Sequence, residues 1–229
     1  MNRNVTTGIV LTRINFSEAD RIITVLTPDF GKVRLMVKGA RKPRSKMAGG
    51  IELFGVSYIT FIEGRGDINT LISARPQTNY KNIVNDIKRT MLGYKVLKRV
   101  NKVTEDAPGN EYFDLLKSTL EALDNSKLSN DAVEFWFILQ LLKISGHAPN
   151  LHTDTHKRPL NENNNCEFDL EAMAFKPKPN GSFNSKYIKL FRLCISATKP
   201  DILLQVQNSD DFLPNSLDLA KTMAKRTFK

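Results

Sequence analysis

Seven cationic side chains, Lys32, Arg34, Lys38, Arg41, Lys42, Arg44 and Lys46, fall between residues 32 and 46, and the stretch MVKGARKPRSKMAGG (36–50) contains no carboxylate. Charge of one sign at this density suits a polyanion: each phosphate neutralised releases condensed counterions, and that release drives binding without regard to base sequence. Side chains alternate across a strand, so Lys32, Arg34 and Lys38 share one face while Val33, Leu35 and Val37 share the other. Gly39, Gly49, Gly50 and Pro43 are expected to keep the rest of the segment open and extended, letting its charges track a phosphate chain. The bland alternative is a solvated loop without a ligand. Arg65, in EGRGD, either extends the groove or decorates a hairpin tip. Phe54 and Tyr58, on one face of a strand, are candidate platforms for base stacking, worth about 1–3 kcal/mol per base; the competing use of such aromatics is core.

A second basic stripe, Lys95, Lys98, Arg99 and Lys102, has i, i+3, i+4, i+7 spacing beside the apolar series Leu92, Val96, Val100 and Val103. It reads as a solvated helix face, as an extension of a nucleic-acid surface, or as a dock for a tail that is both acidic and hydrophobic. Catalytic patterns are missing. GARKPRSK fails as a phosphate loop because Arg44 occupies the second glycine position, and there is no H-E-x-x-H, no G-x-S-x-G and no paired carboxylate set of the kind a two-metal nuclease needs. An enzyme is not indicated. His147, His152, His156 and Cys166 gather in one polar stretch, and His152 with His156 has chelating spacing if helical; Pro149 and Pro159 argue against a helix, and no C-x-x-C is present, so no metal is expected. Cys194 lies on an apolar helical pattern and reads as a small buried hydrophobe.

Positioning such charges requires a frame, and residues 5–76 supply period-two, β-branched and aromatic runs for five strands: TTGIVLTRINF, RIITVLTP, KVRLMVKG, ELFGVSYITFIE and INTLISARP. Five short strands in succession suit a small closed barrel, OB-fold first and SH3-like second. Beyond Pro76 the period becomes 3.6, with Phe113, Leu116, Leu120 and Leu123 on one helix and SNDAVEFWFILQLLKISG as a buried central helix ended by Gly146 and Pro149. Residues 147–186 read as an irregular excursion, and helices return in SKYIKLFRLCISA and SLDLAKTMAKRTFK. The expected fold is α+β: an OB barrel over 1–78 and a helical domain over 79–229.

The chain has 229 residues and a net charge of +10, and the excess lies mainly in the first third, where residues 1–80 carry 12 basic and 6 acidic side chains. A pI of 9.6 points to a polyanionic partner. There is no apolar run of membrane-spanning length and no pattern of an export signal, and two lone cysteines fit a reducing compartment, so a cytoplasmic protein is expected.

The run GIVLTRINFSEADRIITVLTPDFGKVRLMVKGARKPRSKMAGGIELF, followed by GRGDINTLISA and LLKISGHAPNL, resembles the RecO family of bacterial recombination and repair mediators. The shared pattern is a G-x-V-L strand, D-R-I-x-T-x-L-T, a glycine turn, K-G-A-R-K and a basic pair before the fourth strand, covering about residues 7–152 and the rest more loosely. The resemblance implies an OB domain followed by a helical domain, often with a four-cysteine zinc module. Here Asp154 to Lys157 stand where the first cysteine pair would fall, and the second is missing around Phe175 to Pro179, so a zinc-less insertion is expected. It also implies a non-enzymatic protein, associated with the nucleoid. That protein binds single- and double-stranded DNA, anneals complementary strands, and acts with RecR to load RecA on DNA coated by single-stranded DNA-binding protein. The helical domain would hold the acidic C-terminal tail of the coating protein, which gives the Lys95 to Lys102 stripe a role. The alternative reading is an RNA-binding or ribosome-associated OB-fold protein.

Overall fold

Gly8 sits next to the midpoint of a thirteen-residue strand that must serve two neighbours, and a Cβ there would lie 2.4 Å from Val25 Cγ1 and 3.2 Å from Ile59 Cδ1. A side chain at this position would be driven into the barrel interior, so glycine is what allows the strand to hand over from one partner to the next. The computed structural model describes residues 3–64, 66–104, 110–160 and 164–228. Strand β1 (Arg3–Asn15) pairs antiparallel with β4 (Gly55–Ile62) through its first half and with β2 (Arg21–Thr27) through its second. Strand β3 (Gly31–Val37) pairs with β2 and, in parallel, with β5 (Ile68–Asn79), which returns antiparallel to β4. The order β1-β2-β3-β5-β4 closes into a barrel without free edges, which is the OB arrangement.

The period-two pattern has its expected consequence: Val10, Ile23, Val25, Leu35, Val37, Ile59, Phe61 and Leu71 point inward as one cluster. Ile51, from the 3₁₀ turn Ala48–Ile51, is fully buried in the same cluster. Pro76 lies within β5, opposite Ser57, beside a bulge that leaves Gln77 of β5 without a partner in β4.

The chain divides into two compact units, Met1–Ser126 and Lys127–Lys229. The first therefore contains the barrel together with helices α1 (Lys81–Asn85), α2 (Ile87–Val103) and α3 (Asn110–Asp124), beyond the 78/79 boundary at which the periodicity changes. Asp86 caps α2 by accepting from the Arg89 backbone N–H at 2.9 Å. Gly93 of α2 sits over Phe54: a Cβ there would come within 2.6 Å of the ring.

In the second unit, α4 (Asn130–Ile144) is buried nearly all round, as its apolar sequence requires. It is packed by α5 (Ser185–Ser196) and α6 (Ser209–Thr227). Gln140 Nε2, inside α4, donates to the carbonyls of Cys194, Ile195 and Ala197, which satisfies the C-terminal end of α5. Two expectations change here. The 147–186 excursion contains an antiparallel hairpin, β6 (Cys166–Asp169) with β7 (Ala174–Pro177), whose Phe175 packs edge-on against Phe168 and Phe191. And α6 starts at Ser209, seven residues before the apolar repeat at Ser216, because Asp210 and Asp211 favour a helix N-terminus and Leu213 is buried, despite Pro214.

Candidate nucleic-acid interface

The barrel register decides which strand cations face solvent. On the outer face of β1, β2 and β3, successive rows run Ile9–Leu26–Lys32, Thr12–Thr24–Arg34 and Ile14–Ile22–Met36. Ile9 and Leu26 are buried, and in the same row Lys32 turns away from solvent. Its Nζ donates to the Asn101 carbonyl at 3.3 Å and the Thr104 carbonyl at 2.6 Å, at the C-terminal end of α2. The expectation that Lys32 faces a phosphate chain is corrected: a helix C-terminus exposes carbonyls and partial negative charge, and the ammonium satisfies both. Two residues on, Arg34 is exposed, and so are Lys38, Arg41, Lys42, Arg44 and Lys46.

Between Lys38 and Gly50 the backbone is not extended. Lys42 N–H donates to the Gly39 carbonyl, Ser45 to Lys42, Ala48 to Ser45 and Gly50 to Met47, a chain of tight turns. Gly39 takes φ +67° at the first of them, which suits glycine. The turns are pinned at both ends: Ala40 and Ile51 are buried in the barrel cluster, and Met47 packs against it. They are also tied to the β1–β2 turn, since Arg41 N–H donates to the Ala19 carbonyl at 2.9 Å, Arg41 Nη1 to the Ser17 carbonyl at 3.0 Å, and Gly39 N–H to Asp20 Oδ1 at 2.8 Å. With the backbone groups answered locally, the long side chains project outward. Among the described residues, Arg34, Lys38, Lys42, Arg44 and Lys46 have no hydrogen-bonding or ion-pairing partner. Arg65 lies outside the described residues.

The two aromatic candidates separate. Phe54 is 3% exposed and meets Tyr94 edge-on at 5.2 Å, under Gly93, so it is core and not a stacking platform. Tyr58 is 53% exposed, on the outer face of β4 opposite Thr7 and Arg75, away from the β2–β3 rows. The exposed residues that sequence reasoning passed over are Ile14 and Phe16, at 60% and 62%. Their signal was parity: they share it with Thr12, and with it the outward direction. On α2, Lys95, Lys98 and Lys102 are exposed and Arg99 is half-buried; Ile87, Met91 and Tyr94 are exposed on the same helix.

The remaining chemistry is quiet. Burial pushes the Cys194 thiol up to about 12 and raises that of Cys166, with the nearby Asp154 charge as a second cause, so neither is poised as a thiolate. His152 and His156 lie outside any helix and are exposed. Among the described residues no three His, Cys, Asp or Glu side chains converge as metal ligands. Asp154, where a first cysteine pair was sought, instead accepts from the His156 and Arg158 backbone N–H groups at 2.8 and 2.9 Å and from Arg158 Nε at 3.0 Å. Thr155 N–H donates to the Phe175 carbonyl at 3.2 Å, so hydrogen bonds knit the segment to β7. Although burial acts to raise the Asp154 pKa, these donors and the Arg158 charge hold it below its ordinary value.

Comparison with known proteins bears on this geometry. The model described as Recombination protein O N terminal matches residues 1–80, and the one described as Recombination protein O C terminal matches residues 84–197. Three curated relatives are named DNA repair protein RecO. The one from Dehalococcoides mccartyi is 30% identical over 179 residues, 77% of this chain and 66% of that protein. The one from Acetivibrio thermocellus is 32% identical over 150 residues, 65% and 59%. The one from Halalkalibacterium halodurans is 30% identical over 145 residues, 63% and 56%. The chain thus aligns with less than two thirds of the length of each. With both family models in sequence order, the first covering the barrel and the second starting within α1, the chain belongs to the RecO family.

Proposed function

We propose that this protein is a non-catalytic mediator of DNA repair and recombination that holds DNA by its phosphates along Arg34, Lys38, Arg41, Lys42, Arg44 and Lys46. The observation that carries this reading is a set of exposed cations on a rigid barrel, five of them without a partner among the described residues. Because phosphates are common to all sequences, the site takes single-stranded and double-stranded DNA alike. Cations shared between two strands reduce the repulsion that opposes annealing, so complementary strands pair faster on the protein than free in solution.

The resemblance and the names of the relatives support the finer part of the reading: cooperation with RecR, and loading of RecA on DNA coated by single-stranded DNA-binding protein. The exposed edge of α2 suits the acidic, hydrophobic-ended tail of that coating protein, since Lys95 and Lys98 lie beside exposed Met91 and Tyr94. The test is a fluorescence annealing assay with complementary DNA oligonucleotides, with and without the coating protein. Acceleration is expected in both cases, and to be lost on coated DNA in Lys95→Glu/Lys98→Glu. No acceleration on bare DNA would refute the mediator reading.

A further inference from the structure

A groove of about 390 Å³ opens in the second unit between the start of α4, the 3₁₀ turn Pro200–Gln205 and the start of α6. Leu128, Leu203 and Leu213 are buried at its floor, Val206 is half-buried, and Leu204, 51% exposed, stands at its rim. Carboxylates border it. Asp210 lines the groove, Asp211 follows on α6, and Asp131 lies in the first turn of α4; all three are exposed and without an ion pair among the described residues. Helix dipoles account for carboxylates at two helix starts, but not for a leucine left open beside them. Lys127, the cation in the lining, has a partner of its own. In a chain of net charge +10, apolar surface with an anionic border suits a helix that carries apolar anchors beside cations.

The chain itself supplies such a helix. Ile87, Met91 and Tyr94 of α2 are 79%, 60% and 51% exposed, and they fall at i, i+4 and i+7, the spacing at which a helix lays anchors into an apolar groove. From Ile87 to Tyr94 the rise is about 10.5 Å. Lys98 continues the row one turn on and Lys95 flanks it; both are exposed and make no hydrogen bond or ion pair among the described residues. A cavity of this size takes the anchor side chains of a helix and not the helix itself. So α2 keeps its bond to Lys32 of the barrel while its exposed edge is covered.

We propose that the groove receives the edge formed by Ile87, Met91 and Tyr94 from a second copy of this chain, with Asp210 and Asp211 facing Lys95 and Lys98 of that copy. Apolar burial gives the contact its strength, and the opposed charges set its register. The contact joins two different patches, one from each copy, so a change of charge in either patch breaks it. A consequence for the coating protein rests on the reading of the α2 edge given above. Its acidic, hydrophobic-ended tail has the same chemistry as the groove, so tail and second copy exclude each other, and coated DNA recruits single copies.

The experiment is sedimentation velocity of the full chain without DNA, from about 1 to 100 μM protein. Wild type is expected to form a larger species whose dissociation constant rises with salt. Asp210→Lys/Asp211→Lys and Lys95→Glu/Lys98→Glu are each expected to weaken association about tenfold or more. An equimolar mixture of the two variants is expected to recover it, because the mixture offers every groove an α2 of opposite charge. Leu204→Gln, at an exposed position, is expected to weaken association with no change of charge. Melting curves matching wild type establish that the variants are folded. Wild type that stays monomeric across the range, or a mixture that recovers nothing, overturns the proposal. Association that both charge variants retain assigns it to another surface and overturns it as well. The tail peptide of the coating protein is expected to convert wild type to single copies. A peptide that binds at α2 and leaves the association intact removes α2 from the contact, which also overturns the proposal. A peptide that does not bind, with the variants behaving as expected, sinks the tail reading alone.

Discussion

The basic segment of the first compact unit and the cations of the second differ in how the protein answers their charge. In residues 127–229 many of the long cationic side chains are tied into the fold: Lys143 Nζ donates to the Ile195 carbonyl at 2.9 Å, and Arg192 donates twice to the Leu151 carbonyl, at 2.9 and 2.6 Å. Arg158 pairs with Asp154, Lys178 with Glu167, Lys221 with Glu134 and Arg226 with Glu171. In the first unit Arg34, Lys38, Lys42, Arg44 and Lys46 make no such bonds among the described residues. Lysine and arginine occur in both places, so net charge does not locate a binding surface. What locates it is whether the protein has already answered the charge, because a cation held by a carbonyl or carboxylate must give up that partner before it can meet a phosphate.

The largest effect is expected from Arg41→Ala/Lys42→Ala/Arg44→Ala/Lys46→Ala. Each phosphate contact contributes about 0.9 to the slope of log affinity against log salt, so the quadruple variant should flatten that slope for duplex DNA by roughly 3.6. An unchanged slope breaks the comparison at its strongest point. Next comes Gln140→Ala, which leaves the α5 carbonyls without a donor. It should lower unfolding stability by about 1–3 kcal/mol in denaturant melts and leave the salt slope as it was. A changed slope would mean that the second unit also holds DNA.

A sharper form uses two neighbours on one strand face. Lys32→Met should lower stability by roughly 1–2 kcal/mol, because two carbonyls at the end of α2 lose their donor, with no change in slope. Arg34→Met should do the reverse, lowering the slope by about 0.9 at unchanged stability. The smallest effect concerns Asp154. Its pKa is lowered in the fold, so its contribution is complete above its ordinary value of 3.8 and is lost as pH falls through the folded value. The gap in melting temperature between wild type and Asp154→Ala should stay constant from neutral pH down to about 5 and narrow below about 4; a gap that persists in acid would show that the carboxylate charge plays no part.

Local pattern made much of this legible. Alternation of Val33, Leu35 and Val37 with Arg34 and Lys38 identified β3 and its outward side, and the all-round apolar α4 announced its own burial. The failures share a cause. Lys32 and Arg34 have the same parity and were expected to do the same thing; only α2, brought over one end of the face, separates them. Phe54 and Phe16 are both aromatics at strand ends, and packing under Gly93 made one core while the other stayed exposed. The basic segment looked extended because glycine and proline exclude regular structure, but those residues also favour turns, and anchoring of Ala40 and Ile51 selected the turns.

By itself, then, the chain of residues determined the five barrel strands, the main helices, the side of each that is apolar and the density of cations near the third strand, because periodicity and like charge act between residues close in sequence. Only the tertiary structure decided which cations remain available and which apolar side chains remain uncovered. Those outcomes depend on carbonyls and rings that arrive from positions as much as 72 residues away, as the hydrogen bond from Lys32 to Thr104 does.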